Sequence, residues 1–150
     1  MSSSLEQKYQ KKTDKEHILD NPDTYIGSIE NIDQTIYVHE NETIIEKNIM
    51  YNPGLFKLFD EGIVNCRDHY VRMKQQASGE QVSQIHIQIE NNKITMYNNG
   101  NGIDIEKHPT HNVWIPELIF GHLRTSTNYN KEEKKITGGK NGFGFKLVLI

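Results

Sequence analysis

Asp60-Glu61-Gly62-Ile63-Val64-Asn65-Cys66-Arg67-Asp68 lies at the centre of the strongest helical pattern in the chain, which runs from about Pro53 to Gln76. With each residue turning about 100°, Leu55, Phe59, Ile63, Cys66, Tyr70 and Met73 fall on one apolar stripe. Glu61, Asn65 and Asp68 share an arc of about 60° well away from it. A carboxylate with an amide oxygen one turn on can activate a water and ligate a hard cation such as Mg²⁺. The same spacing also describes a solvated polar face, and spacing alone leaves both readings open. Gly62 sits mid-helix, where it costs about 1 kcal/mol relative to alanine. It suits a helix that something approaches closely, although drift would leave the same residue.

Outward from this helix the pattern changes period. Ile85, Ile87 and Ile89 alternate with Gln84, His86 and Gln88, Asn91-Asn92 suits a tight turn, and Lys93 to Asn98 returns with Ile94 and Met96 on one face. A short helix is expected from Pro116 to Leu123, then a polar loop from Arg124 to Thr137, a glycine-rich stretch and a final apolar run. On the N-terminal side, Ile36, Val38, Ile44 and Ile45 flank a polar turn near Asn41, which suggests a small hairpin. Thr13-Asp14-Lys15-Glu16 has capping-box spacing and opens a short helix through Leu19 that stops before Pro22. Residues 1–12 read as a polar arm, and 13–150 as one domain. Helix, hairpin and helix in this order predict an α/β (α+β) two-layer sandwich, with helices packed on one antiparallel sheet.

Composition bounds the rest. The chain has 150 residues, 35% of them hydrophobic, with a mean hydropathy of −0.71, so any core is lean. No stretch approaches the roughly 18 apolar residues of a bilayer span, and Met1 to Lys8 has no apolar signal-peptide core. No membrane partner is expected. One cysteine, Cys66, cannot form an internal disulfide and points to a reducing, intracellular compartment. Seventeen Lys and Arg against twenty Asp and Glu give a net charge of −3, so no global basic field holds nucleic acid. His108 and His111 lack further ligands at metal-site spacing, and nothing nominates a Ser or Cys nucleophile.

Two further stretches carry chemistry. In Asn98-Asn99-Gly100-Asn101-Gly102 the glycines permit positive φ and close backbone approach to a ligand, and an Asn side chain suits the edge of adenine. A plain turn after a strand has the same composition. In Thr137-Gly138-Gly139-Lys140-Asn141-Gly142-Phe143-Gly144-Phe145-Lys146, glycine-rich backbone entering a helix N-terminus offers unpaired N–H groups to an anion, and Lys140 and Lys146 add charge. It is not a P-loop, because Lys-[Ser/Thr] is missing after Gly144. A flexible loop is the competing reading.

Taken in order, these segments resemble the GHKL ATPase superfamily, which includes gyrase-type topoisomerases, the ninety-kilodalton heat-shock chaperones, MutL-type repair proteins and histidine kinases. The finer resemblance is to the N-terminal ATPase region of eukaryotic-type DNA topoisomerase II, viral relatives included. It is carried by Tyr9-Gln10-Lys11-Lys12-Thr13, Glu16-His17-Ile18-Leu19 and Pro22-Asp23-Thr24-Tyr25-Ile26-Gly27-Ser28. Asp60 to Asn65, Tyr97 to Ile103, Pro116 to Leu123, Ser126-Thr127-Asn128-Tyr129 and the glycine-rich loop continue it. The Thr24 to Gly27 and Ser126 to Tyr129 segments weigh against a chaperone or repair ATPase.

The resemblance implies a GHKL-type fold, ATP and Mg²⁺ as cofactors, and a role for each matched residue. Glu61 would be the general base, Asn65 would hold Mg²⁺, and Asn98 would meet the adenine, with Gly100 and Gly102 beside it. Ser126, Thr127 and Asn128 would contact ribose and phosphate, while Gly139, Lys140, Asn141, Gly142, Phe143, Gly144, Phe145 and Lys146 would wrap the triphosphate. Tyr9 would reach the nucleotide of a partner subunit, closing a homodimer by arm exchange around double-stranded DNA carried by the larger enzyme. A nuclear setting would follow for a cellular eukaryote, and a viral or cytoplasmic origin fits equally.

Some positions depart from the family pattern. Gly62 replaces a bulky aliphatic residue, His69 an Asn, Asp104 a Pro, Phe143 a Tyr and Lys140 an Arg, the last losing bidentate geometry. The family's remaining strands, its transducer domain with a lysine for the γ-phosphate, and its DNA-cleaving region are not among these 150 residues. The expectation is weakened ATP affinity, with doubtful independent hydrolysis. The alternative is a non-hydrolysing nucleotide-binding or dimerisation module that regulates a full-length topoisomerase.

Overall fold

A computed structural model of the chain describes residues 5–76, 79–126, 138 and 142–150. They fall into two compact units, 1–56 with Ile150, and 57–149.

In the first unit, a one-turn helix α1 (Leu5–Lys8) lies within the expected arm and is followed by α2 (Asp14–Asp20). The capping box is complete: the Thr13 N–H donates to Glu16 Oε2 at 2.7 Å, and the Glu16 N–H donates to Thr13 Oγ1 at 3.3 Å. Ile18 is buried on this helix. Next comes α3 (Asp23–Ile26), a single turn ended by Gly27 at φ +82°. Strands β1 (Ile32–Glu40) and β2 (Thr43–Tyr51) pair antiparallel, Ile32 opposite Tyr51 and Glu40 opposite Thr43. Asn41 and Glu42 both take positive φ in the turn, as a tight two-residue hairpin connection demands.

Helix α4 (Pro53–Gln75) begins where Asn52 accepts the Leu55 N–H at 2.9 Å, with Pro53 at the first helical position and Arg72 and Lys74 in the last turn. The apolar stripe holds along its middle. Cys66 and Met73 are buried and Phe59 and Ile63 half-buried, but Tyr70 is exposed and Leu55 is 63% exposed. Periodicity gives the direction of a side chain; it does not say whether anything lies there to cover it.

In the second unit β3 (Ile85–Glu90) and β4 (Lys93–Asn98) form the second hairpin, Ile85 opposite Asn98, with Asn91 at φ +50° in the turn. Where one antiparallel sheet is expected, the described residues form two separate two-stranded ladders, one in each unit. Each ladder pairs only strands joined by a short polar turn, the pairing with the smallest loop-closure cost. Every residue of β3 is exposed, its three isoleucines included, with Ile89 at 64%. A loop then runs to α5 (Ile115–Gly121), with Lys107 bridged to Trp114 and its ammonium 5.7 Å from the Trp114 ring centre. The last element is the one-turn helix α6 (Lys146–Leu149).

The stripe therefore has a tight and a loose end. Met73, only 3% exposed, leaves a cavity when shortened, so Met73→Ala should lower unfolding free energy by about 2–5 kcal/mol. Leu55→Ala should cost less than about 1 kcal/mol, because little transfer from water is undone. Urea unfolding midpoints of the two variants check the contrast.

Candidate functional site

The site is built on the part of α4 from Lys57 onward, which belongs to the second unit. Glu61, Asn65 and Asp68 lie one turn apart along it, in three different environments. Asn65 is exposed. The Glu61 side chain is 19% exposed, and its Oε1 pairs with the Lys57 ammonium at 2.8 Å, while Asp60 Oδ2 lies 3.1 Å from the same nitrogen. The hydrogen bond to Glu61 holds the Lys57 pKa above the usual lysine value. Asp68 is only 2% exposed, so it does not belong to a solvated face.

The glycine-bearing segment covers this arc at both ends. The Gly138 N–H donates to Asp68 Oδ2 at 2.8 Å, and a Cβ placed on Gly138 would stand 3.0 Å from Val64 Cγ1. At the other end a Cβ on Gly144 would stand 3.1 Å from Glu61 Oε2. At these two points backbone meets the acidic helix closely enough that a side chain would press on Val64 or on the Glu61 carboxylate. The solvated-face reading of the arc fails at its two ends, Asp68 and Glu61, where backbone lies close, and holds at Asn65, which is exposed.

The strand terminus joins the same helix. Gly100 takes φ +119°, and a Cβ there would come within 2.8 Å of His69 Nε2 and 2.9 Å of Val82 Cγ2. The close approach expected of a ligand at Gly100 is therefore made by the protein itself, whereas Gly102, at φ +72°, faces open space. Asn98 at the end of β4 is half-buried, and its Nδ2 donates to the Asn99 carbonyl at 2.9 Å. Asn99 Oδ1 accepts the N–H groups of Ser83 and Gln84, each at 3.0 Å, tying the loop to the start of β3. Mid-helix Gly62 meets a protein side chain in the same way: a Cβ there would lie 2.6 Å from Met96 Sδ.

Lys146 closes the far side. It is 7% exposed, its ammonium donates to the Thr125 carbonyl at 3.0 Å, and burial pushes its pKa below the usual lysine value. The Phe143 carbonyl accepts the Lys146 N–H at 2.9 Å, and the Gly142 carbonyl accepts the Arg124 N–H at 2.9 Å. The Phe145 ring stands edge-on to Phe120 of α5 at 6.2 Å. Ser126 is half-buried beside Thr125, whose hydroxyl donates to the carbonyls of Leu118 and His122. Thr127, Asn128, Gly139, Lys140 and Asn141 lie outside the described residues. Tyr9 belongs to the first unit, is 70% exposed and has the Lys8 ammonium 5.4 Å from its ring centre.

Residues 51–149 match the family described as histidine kinase-, DNA gyrase B-, and HSP90-like ATPase. The chain belongs to that ATPase family. The matched span covers all of α4, the β3–β4 hairpin and the glycine-bearing segment, the elements that build the site. Among its relatives, the DNA topoisomerase 2 of Pisum sativum is 47% identical over 99% of this chain and 10% of its own length. The DNA topoisomerase 2 of Acanthamoeba polyphaga mimivirus is 47% identical over 98% of this chain and 12% of its own length. The crystal structure of the ATPase region of Saccharomyces cerevisiae topoisomerase II superposes with a TM-score of 0.83 at 48% identity, over 94% of this chain and 37% of that one. The chain thus spans about a tenth of the length of these curated relatives. Its fold is of the GHKL ATPase type, with antiparallel strands and helices. Among the described residues, no helix is long and apolar enough to cross a membrane.

For an ATPase-family site, the groups present suit a magnesium nucleotide. A buried ammonium given one neutral carbonyl by the described residues favours an anion. An exposed amide one turn from a carboxylate supplies hard oxygen donors. Lys57 was absent from the sequence-based site, and Asp68 was placed on its arc without a role. The i, i+4 spacing of Lys57 to Glu61 was the available signal for the first; no sequence signal gave the burial of Asp68.

His69 gives a pH test. Burial and the nearby Arg72 hold its pKa below 6.5, so the unfolded chain takes up the proton first and stability falls as pH drops through that value. His69→Gln should flatten this loss relative to the native chain. Urea midpoints between about pH 7.5 and 5 read the difference.

Proposed function

We propose that this chain is the ATP-binding portion of a type II DNA topoisomerase, binding Mg²⁺–ATP against α4. The observation that carries the reading is the docking of backbone glycines on the acidic arc, Gly138 on Asp68 and Gly144 on Glu61. It is supported by the ATPase family match and by the likeness to topoisomerase 2 over nearly the whole chain. Phosphoryl transfer needs chiefly positioning and charge stabilisation, and this arrangement offers both.

In this reading Glu61 accepts a proton from the attacking water through Oε2, the oxygen facing Gly144, while Lys57 holds Oε1. Asn65 would ligate Mg²⁺, which when bound neutralises phosphate charge. Lys146 and the backbone from Gly139 to Phe145 hold the phosphates, Asn98 meets the adenine with Gly100 and Gly102 beside it, and Ser126, Thr127 and Asn128 hold ribose and phosphate. Residues 1–12 act as an arm: Tyr9 reaches a partner subunit's nucleotide, so that two subunits close around a DNA duplex within a larger enzyme. The setting is intracellular, and nuclear where the source is a cellular eukaryote.

Mg²⁺-dependent ATP hydrolysis by the chain, alone and with the remainder of a topoisomerase 2 supplied in trans, is the decisive measurement. Glu61→Ala should lower turnover at least 100-fold, the scale of a lost general base, with nucleotide affinity within about threefold of native. Binding without turnover in both arrangements would favour the non-hydrolysing regulatory module. Failure to bind any nucleotide would overturn the reading.

A further inference from the structure

Gly62 raises a question that the nucleotide site leaves unanswered. Glycine in a helix interior is disfavoured, and this one is buried against other parts of the protein. Its missing side chain is instead a notch, and two other elements enter it. A Cβ there would stand 2.6 Å from Met96 Sδ, 3.1 Å from Met96 Cε and 3.5 Å from Phe145 Cε2. Met96 comes from β4, two residues before Asn98. Phe145 follows Gly144 and precedes Lys146.

The position of this notch gives it a consequence. Gly62 adjoins Glu61, and Phe145 adjoins Gly144, so the notch lies one residue along each backbone from the place where a Gly144 Cβ would meet Glu61 Oε2 at 3.1 Å. On its outer side the Phe145 ring is held edge-on by Phe120 at 6.2 Å. Whatever fixes the depth to which Met96 and Phe145 enter the notch also fixes the height of the ribbon above the carboxylate. Catalytic groups must be held within about 0.5 Å, by neighbours whose own rotamers are locked.

We infer that Gly62, Met96 and Phe145 form a positioning socket that sets the distance between the glycine ribbon and Glu61, and thereby the fit of the site to the nucleotide phosphates. The inference rests on the proposed nucleotide reading for its functional consequence, but not for its geometry. All three are positioning residues with respect to Glu61. Filling the notch displaces Met96 and brings the new methyl group against the Phe145 ring, and overpacking of this kind moves backbone as well as side chains. Removing the thioether at the same time returns the space, so the two changes are strongly non-additive.

The test uses the full 150-residue chain with two readouts, the amide resonances of Gly144, Phe145 and Lys146 without nucleotide and the affinity for a Mg²⁺-bound non-hydrolysable ATP analogue. Gly62→Ala should shift those amides and weaken the analogue about tenfold. The Gly62→Ala, Met96→Ala double variant should restore the amides and bring affinity within about threefold of native. Should Gly62→Ala fail to fold, Phe145→Leu probes the socket from its other side, and the same amides should move. Simple destabilisation would be deepened by the second deletion, so rescue separates positioning from structure. Native amides and native affinity in a folded Gly62→Ala chain would overturn the inference, as would a double variant no better than the single. If the native chain binds no analogue, the nucleotide reading fails, and the amide shifts with their restoration still decide the socket.

Discussion

The contact on which the site depends is that between an uncharged backbone and a charged helix face. Asp68 is nearly inaccessible to water yet carries a carboxylate, and a buried carboxylate must be given hydrogen-bond donors. One of them is the Gly138 N–H at 2.8 Å. This bond takes the Asp68 end of the polar side of α4 out of the solvent-facing surface. Glu61, two turns earlier, has Gly144 close to its Oε2, so the same segment that meets Asp68 also reaches the other carboxylate of the arc.

Glycine has two separate functions in this arrangement. At Gly138 and Gly144 its value is thinness, since a side chain would crowd Val64 or Glu61. At Gly100 thinness and a positive φ are both needed, because His69 and Val82 occupy the space and the chain must turn. The ribbon, the strand end and the hairpin all meet α4 at residues without side chains. The helix therefore acts as a common reference for the site, and small displacements along it are felt by each of its walls.

Much of this was legible in the sequence. The helix from Pro53, both hairpins and the capping box at Thr13 follow from periodicity and turn chemistry, which act over a few residues. The glycine ribbon and the acidic arc were each visible as motifs, but their contact was not, because Gly138 and Asp68 are 70 residues apart. The reading of Gly62 had the right physical premise, close approach, while the approaching group proved to be Met96. Leu55 misled because a stripe extrapolated to the helix start assumes a partner that the fold does not place there. Short turns such as Asp23–Ile26 carry too few residues for any period to emerge.

The exposed isoleucines of the β3–β4 hairpin have a consequence for the behaviour of the polypeptide in solution. Three β-branched side chains on a short strand whose outer edge pairs with no other strand among the described residues make an adhesive strip, which proteins usually blunt with charge. Here Glu90 and Lys93 flank the turn, but the molecule as a whole carries only −3. Near its isoelectric point, about 6.2, that slight mutual repulsion vanishes and the strip is left to govern colloidal behaviour. Acidification toward that point therefore removes the charge that keeps copies of the chain apart.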